Sequence, residues 1–341
     1  MNFAAFKLWR EACLRTTPDV VDCAETNLYS TLAPLQPRLD PSETHPRVHR
    51  CDLARAWLQR YGFDAGRSRQ ALVCRGVRHA LQLIFRRLSA EGARLWLPGD
   101  VYPVYQTLAE SAGIVPQLFP TLPTPSFPTV GGTDGPEFLL IANPLKPLGR
   151  FLNDEECAAL LAWVNAAPGR RLLIDCVYDL GTPFHPTTMK LLQTERAILL
   201  HSATKGWLTP QTFGVALVGE DCTGFETDFR EDPPSAMQLQ LAHHFLSAAA
   251  DCPARVVDAL QARARSLAER LPQTVRDVRL VAPANSAPGC YLFPVPFSAE
   301  QLLNDYGLLA IPASAFGAEG WNGSILTSLS DGFAPQHHAS T

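Results

Sequence analysis

The sequence carries no excess of basic residues: 29 Lys and Arg stand against 33 Asp and Glu, for a net charge of −4. Binding along a phosphate backbone takes such an excess, so nucleic acid is a disfavoured partner. Unbroken apolar runs are also missing; none approaches the ~20 residues of a membrane-spanning helix. From Met1 to Arg15 there is no uncharged apolar stretch of the kind a secretion signal needs. Lys7, Arg10 and Glu11 instead interrupt apolar residues at helical spacing, which reads as a short amphipathic helix. The nine cysteines form no CxxC pair and no metal-like spacing. They read as reduced thiols of a cytoplasmic protein, with no metal expected. Internal repeats are absent. Proline, by contrast, is abundant at 29 residues, several of them between Pro116 and Pro136. Apolar runs flank that stretch, so it is expected to be a connection over the surface.

A chain of 341 residues exceeds the usual size of a single core. The expected division is an N-terminal segment (1–45), a large domain (46–235), and a connecting helix with a small C-terminal domain (236–341). Within the large part, short apolar runs alternate with helical patterns. Strands are expected at Ala71–Cys74, Arg94–Leu97, Phe138–Ala142, Arg171–Ile174, Ala197–Leu200 and Gly214–Val218. Helices are expected at Val77–Ser89, Val104–Ala112 and Asp154–Asn165, the last opened by a capping box of Asn153 and Glu156. This alternation implies an α/β fold, with a mostly parallel central sheet and helices on both faces. Gln238–Leu271 reads as one long or broken helical stretch. Val278–Val281, Cys290–Pro294 and Ile325–Leu329 read as strands of a small α+β domain.

Parallel sheets bind ligands at the carboxyl ends of their strands. The residues just past those ends are therefore the candidates. Leu172–Tyr178 puts Asp175 at the end of a buried strand with Tyr178 three residues on. Ile198–Lys205 puts Lys205 just past the next strand, beside Ser202 and Thr204. A buried acid needs a cationic partner, and an amine at a strand end is a candidate nucleophile.

The pairing of Asp-x-x-Tyr with a later Ser-x-Thr-Lys resembles the signature of the class I/II aminotransferases, the fold-type I, aspartate-aminotransferase-like family. Four further segments are similar to that family's motifs in the same order. They are Cys74–Leu81 (a glycine-centred phosphate turn), Pro98–Tyr105, Asn143–Gly149 and Leu308–Gly317. The resemblance runs from about residue 45 to residue 330. It implies pyridoxal 5'-phosphate (PLP) as cofactor, held by Lys205 as a Schiff base. It also implies Asp175 at the pyridine nitrogen, Tyr178 at the ring hydroxyl and Tyr102 stacked on the ring. Ser202 and the backbone at Gly76–Val77 would hold the phosphate. A homodimer acting on a small amine or amino acid follows from the same resemblance, with His45–Pro46–Arg47 in the region that crosses between subunits.

The sequence departs from the family at three places. No arginine follows the lysine near Gln211–Gly214, where the family binds phosphate; Arg75 or Arg78 is expected to replace it. Lys146 stands where the family has an asparagine at the ring hydroxyl, and Asn143 is the other candidate for that contact. No arginine for a substrate carboxylate occurs in Ser324–Leu329. The default expectation is aminotransfer. The alternatives are a lyase, oxidase, decarboxylase or cyclase of specialised metabolism, and a degenerate binding protein of the same fold. Ser202-Ala203-Thr204-Lys205 also fits the Ser-x-x-Lys of penicillin-binding acyl enzymes, but the Ser-Asp-Asn and Lys-Thr-Gly which that chemistry requires are missing. His243–His244 and His337–His338 are adjacent pairs that cannot face one metal from a helix; they are expected to be surface or packing residues.

Overall fold

The structure, a computed structural model, describes residues 1–17, 19–38, 48–63, 69–129, 135–210, 212–222 and 224–334. His45–Pro46–Arg47, Gln211 and His337–His338 lie outside them. Along the chain the strands are β1 (Val21–Asp22), β2 (Arg69–Cys74), β3 (Arg94–Pro98), β4 (Gln117–Phe119), β5 (Glu137–Ala142) and β6 (Arg170–Asp175). They continue with β7 (Ala197–Ser202), β8 (Gly214–Gly219), β9 (Leu292–Val295), β10 (Leu308–Leu309), β11 (Ile311–Pro312) and β12 (Ser324–Thr327).

Seven strands form the main sheet in the order β2-β8-β7-β6-β5-β3-β4. The pairs β3–β4, β3–β5, β5–β6 and β6–β7 are parallel, whereas β8 runs antiparallel to both β7 and β2. The central strands β5, β7 and β8 are buried at every residue, as continuous apolar runs covered on both faces should be. Strand alternation sorts them between two apolar layers. Leu140, Leu173, Ile198 and Leu200 pack with Leu81, Ile84, Phe85 and Leu88 of the Val77–Ala90 helix. Leu139, Ile141, Leu172 and Leu199 face the other way, toward Trp57, Trp163 and Phe184.

The second part is built on the antiparallel sheet β11-β12-β9. Strand β1 pairs in parallel with β10, so the N-terminal segment is joined to the C-terminal part. The helical stretch after residue 235 is broken into Ala236–Leu246 and Cys252–Arg270, the latter starting with Pro253 in its first turn.

Two expectations are corrected. Val278–Val281 is not a strand: Val278 and Leu280 stay 39% and 36% exposed, so no second layer covers their apolar side. The proline-rich connection contains a strand, β4, at the sheet edge; Pro116 and Pro120 confine it to three residues.

Candidate active site

Strands β2, β6 and β7 end in register with their neighbours, bringing Cys74, Asp175 and Ser202 to one rim of the sheet. Gly214 opens β8 opposite both Ser202 and Cys74. Ser202 caps the one-turn helix Ala203–Gly206, its Oγ accepting from Thr204 N at 3.4 Å. That turn directs Lys205 across the rim. Its Nζ donates to the Tyr29 hydroxyl at 3.3 Å and lies 4.6 Å from the Tyr29 ring centroid and 5.2 Å from that of Tyr178. Burial pushes the Lys205 amine down to about 8, with Arg78 adding to the effect and Asp175 opposing it.

Asp175 is buried at the end of β6. Its Oδ2 accepts from the Tyr105 hydroxyl at 2.5 Å and its Oδ1 from Val177 N at 3.0 Å. Burial pushes this carboxyl above the usual range, while those two bonds and the nearby Lys146 and Lys205 hold it down. Tyr178 and Tyr291 share a hydroxyl–hydroxyl hydrogen bond of 2.8 Å. The Lys146 amine rests on the face of the Tyr178 ring. Burial and the charge of Lys205 push that amine well below its ordinary value. His201, beside Ser202, is enclosed by Trp57, Tyr61 and Phe184; burial pushes it down to about 3, so it braces the strand as a neutral ring.

The turn before the Val77–Ala90 helix is the candidate cradle for an anion. Gly76 adopts φ 142° and no side chain caps the helix, which leaves its first N–H groups open. A Cβ on Gly214 would lie 2.7 Å from Gly76 Cα and 2.8 Å from His201 O, so only glycine lets β8 and this turn approach so closely. Arg78, one residue into the helix, lies within electrostatic reach of Tyr29 and Lys205.

Lys205, Asp175, Tyr178, Lys146 and Arg78 thus form one cluster, with Ser202, Gly76 and Val77 on the same rim. Three expected residues are engaged elsewhere. Arg75 forms a bidentate pair with Asp232 at 2.8 and 2.9 Å, which His79 also contacts, whereas Arg78 acts on Lys205. Tyr102 is 47% exposed and meets Phe3 edge-on at 5.2 Å. Asn143 uses its whole amide for structure: Nδ2 donates to Thr187 and Thr188, and Oδ1 accepts from Leu152 N. Two contributors carried no clear sequence signal. Tyr105 holds Asp175 from the segment in which Tyr102 was expected to act, and Tyr291 arrives from the small sheet.

The model of the aminotransferase class I and II family matches residues 41–322, and the chain belongs to that family. The family is PLP-dependent, and the chain is an enzyme of that type. Solved structures agree on the fold. A Thermus thermophilus aspartate aminotransferase double mutant superposes with a TM-score of 0.70 at 17% identity, covering 97% of this chain and 93% of that one. A probable N-succinyldiaminopimelate aminotransferase, also from Thermus thermophilus, gives 0.67 at 18% identity, covering 97% and 96%. YbdL from Escherichia coli, described with a methionine aminotransferase function, gives 0.66 at 16% identity, covering 97% and 93%. No curated protein matches by sequence.

Proposed function

We propose that the chain binds PLP covalently through Lys205 and transforms an amino acid or amine, with aminotransfer as its basic reaction. The observation that carries this reading is the Lys205 amine, pushed down to about 8 beside a buried carboxylate on the adjacent strand. The residues fit the cofactor. Lys205 supplies the attachment nitrogen, Asp175 a carboxylate for the pyridine nitrogen, and Tyr178 a hydroxyl. The open amides at Gly76–Val77, with Ser202 and Arg78, provide for the phosphate. When bound, PLP supplies an electron sink that lets a bond at the amine-bearing carbon break.

The chain's own residues do the rest. Near neutral pH, Lys205 Nζ both releases and accepts a proton, as an acid–base group working on a substrate carbon must. Tyr105 fixes the direction of the Asp175 carboxylate. Tyr29 and Tyr178 cover the amine and limit the access of water.

A second reading, a lyase, oxidase, decarboxylase or cyclase of specialised metabolism, is favoured by one observation. Strand β12, where the resemblance would place an arginine for a substrate carboxylate, reads Ser324-Ile325-Leu326-Thr327 and carries none. A cytoplasmic homodimer belongs to the same reading, supported by the family's typical assembly and by nine free cysteines.

The test is borohydride reduction of the PLP-loaded chain followed by peptide mass spectrometry. A pyridoxyl mark on Lys205, absent from Lys205→Ala, is expected, together with a fall in turnover of at least about a thousandfold. A chain that shows no visible cofactor band and takes no mark would sink the proposal.

A further inference from the structure

Positive charge outnumbers negative around Lys205. Lys146 and Lys205 both act on one carboxylate, Asp175, whose two oxygens already accept from Tyr105 and Val177, and Arg78 adds its charge at Lys205. Other nearby cations are engaged. Arg75 is paired with Asp232, Arg10 with Asp22 and Glu25, and Arg263 donates to the carbonyls of Leu329 and Ser330. The Lys146 amine has no hydrogen-bond or ion-pair partner among the described residues. It lies on the Tyr178 ring, and its neighbours are Lys205, Asp175 and Cys290. The Cys290 thiol is itself turned to Leu292 O at 3.1 Å, and the Tyr178 hydroxyl to Tyr291.

This placement is held by the backbone. The turn carrying Lys146 is closed by Leu145 N donating to Arg150 O at 2.7 Å and by Gly149 N donating to Leu145 O at 2.8 Å. Gly149 takes φ 80°, and a Cβ there would run into the Leu292 carbonyl and, at 2.6 Å, the Cys290 sulfur. The turn is therefore held against β9, which fixes the backbone from which Lys146 reaches the Tyr178 ring.

A desolvated amine without an anion is costly, and that cost disappears when an anion is seated beside it. We propose that Lys146 is the oxyanion-binding amine of this site, taking up a proton as a ligand oxyanion arrives, either the ring oxygen of the cofactor or a carboxylate of the substrate. The inference rests on Lys205 being the cofactor lysine.

Burial and Lys205 favour the neutral amine, Asp175 opposes them, and an incoming anion favours the charged form. Binding therefore takes up a proton and weakens as the pH rises.

The test is calorimetric titration of the full chain near pH 8, in two buffers of different ionisation enthalpy, comparing wild type with K146M. If the ring oxygen is the anion, wild type takes up about one proton more than K146M when PLP binds. If the carboxylate is the anion, that difference appears when L-alanine, and not ethylamine, is added to the loaded proteins. Equal proton counts in wild type and variant at both steps overturn the inference. Should K146M fail to fold, K146Q, which keeps length and polarity without titrating, replaces it. A wild type that binds no PLP at all refutes the earlier reading instead.

Discussion

At the scale of single residues, the site works by desolvation. An exposed lysine is almost wholly protonated at neutral pH, whereas Lys205 is held to about 8 by burial. Only the neutral amine attacks a carbonyl. The rate of PLP incorporation should therefore rise with pH through about 8 and then level off, as followed by stopped-flow absorbance. A rise that continues toward the ordinary value of 10.5 would mean that Lys205 is not the group attacking.

Tyr105 gives a second prediction. Its 2.5 Å bond is one of two that offset the burial of Asp175, and hydrogen bonds to a charged group contribute about 1.5–3 kcal/mol. Tyr105→Phe should weaken PLP binding roughly tenfold or more while leaving the Lys205 mark in place. An unchanged PLP affinity in a fluorescence titration would remove Tyr105 from the site. The placing of Lys205 and Asp175 at strand ends was legible in the sequence because each follows a buried apolar run. Tyr105 was not, because a tyrosine at the start of a helix reads equally as a core aromatic. Its meaning depends on which strand end lies above it, and spacing does not encode that.

At the scale of elements, the periodic apolar runs located six of the seven strands of the main sheet within a residue or two, since burial on both faces leaves a continuous signature. What the pattern did not carry was direction. The run that forms β8 looks like the runs that form β6 and β7, yet it is antiparallel, and its first residue, Gly214, lies against the Gly76 turn. The three-residue β4 and the segment Val278–Val281 failed for the opposite reason, because short segments depend on what covers them.

Gly214→Ala tests the close approach directly. Its Cβ would meet backbone rather than a movable side chain, so β8 and the Gly76 turn must separate. A loss of about 2–4 kcal/mol in denaturant unfolding is expected, in the range of overpacked and strained sites. PLP retention should fall with it. A variant as stable as wild type would show that the turn yields without cost.

At the scale of the whole molecule, the N-terminal segment reaches the candidate site through Tyr29. The strand signal of β1 is two residues long, too short to read, and its partner β10 lies far along the chain, Val21 facing Leu308. Only the folded chain shows that Tyr29, presented by the short helix Leu28–Thr31, reaches Lys205. Arg10 secures this arrangement. It donates to both carboxylate oxygens of Asp22 in β1 and at 2.8 Å to Glu25. Glu25 in turn accepts from the backbone N–H groups of Thr26 and Asn27, the residues leading into the Tyr29 helix.

Arg10→Met would leave two half-buried carboxylates facing each other without their cation. Stability should fall by about 1–3 kcal/mol, and the Tyr29 contact with Lys205 should loosen. Loosening admits water to the amine and moves its titration upward, toward that of an exposed lysine. The combined readout, a lower unfolding midpoint together with PLP incorporation whose pH midpoint rises above that of wild type, distinguishes this linkage from a local surface defect. A fall in stability with the Lys205 midpoint unmoved would mean that the N-terminal segment supports the fold without shaping the amine. Tyr29→Phe would then be expected to leave that midpoint unmoved as well.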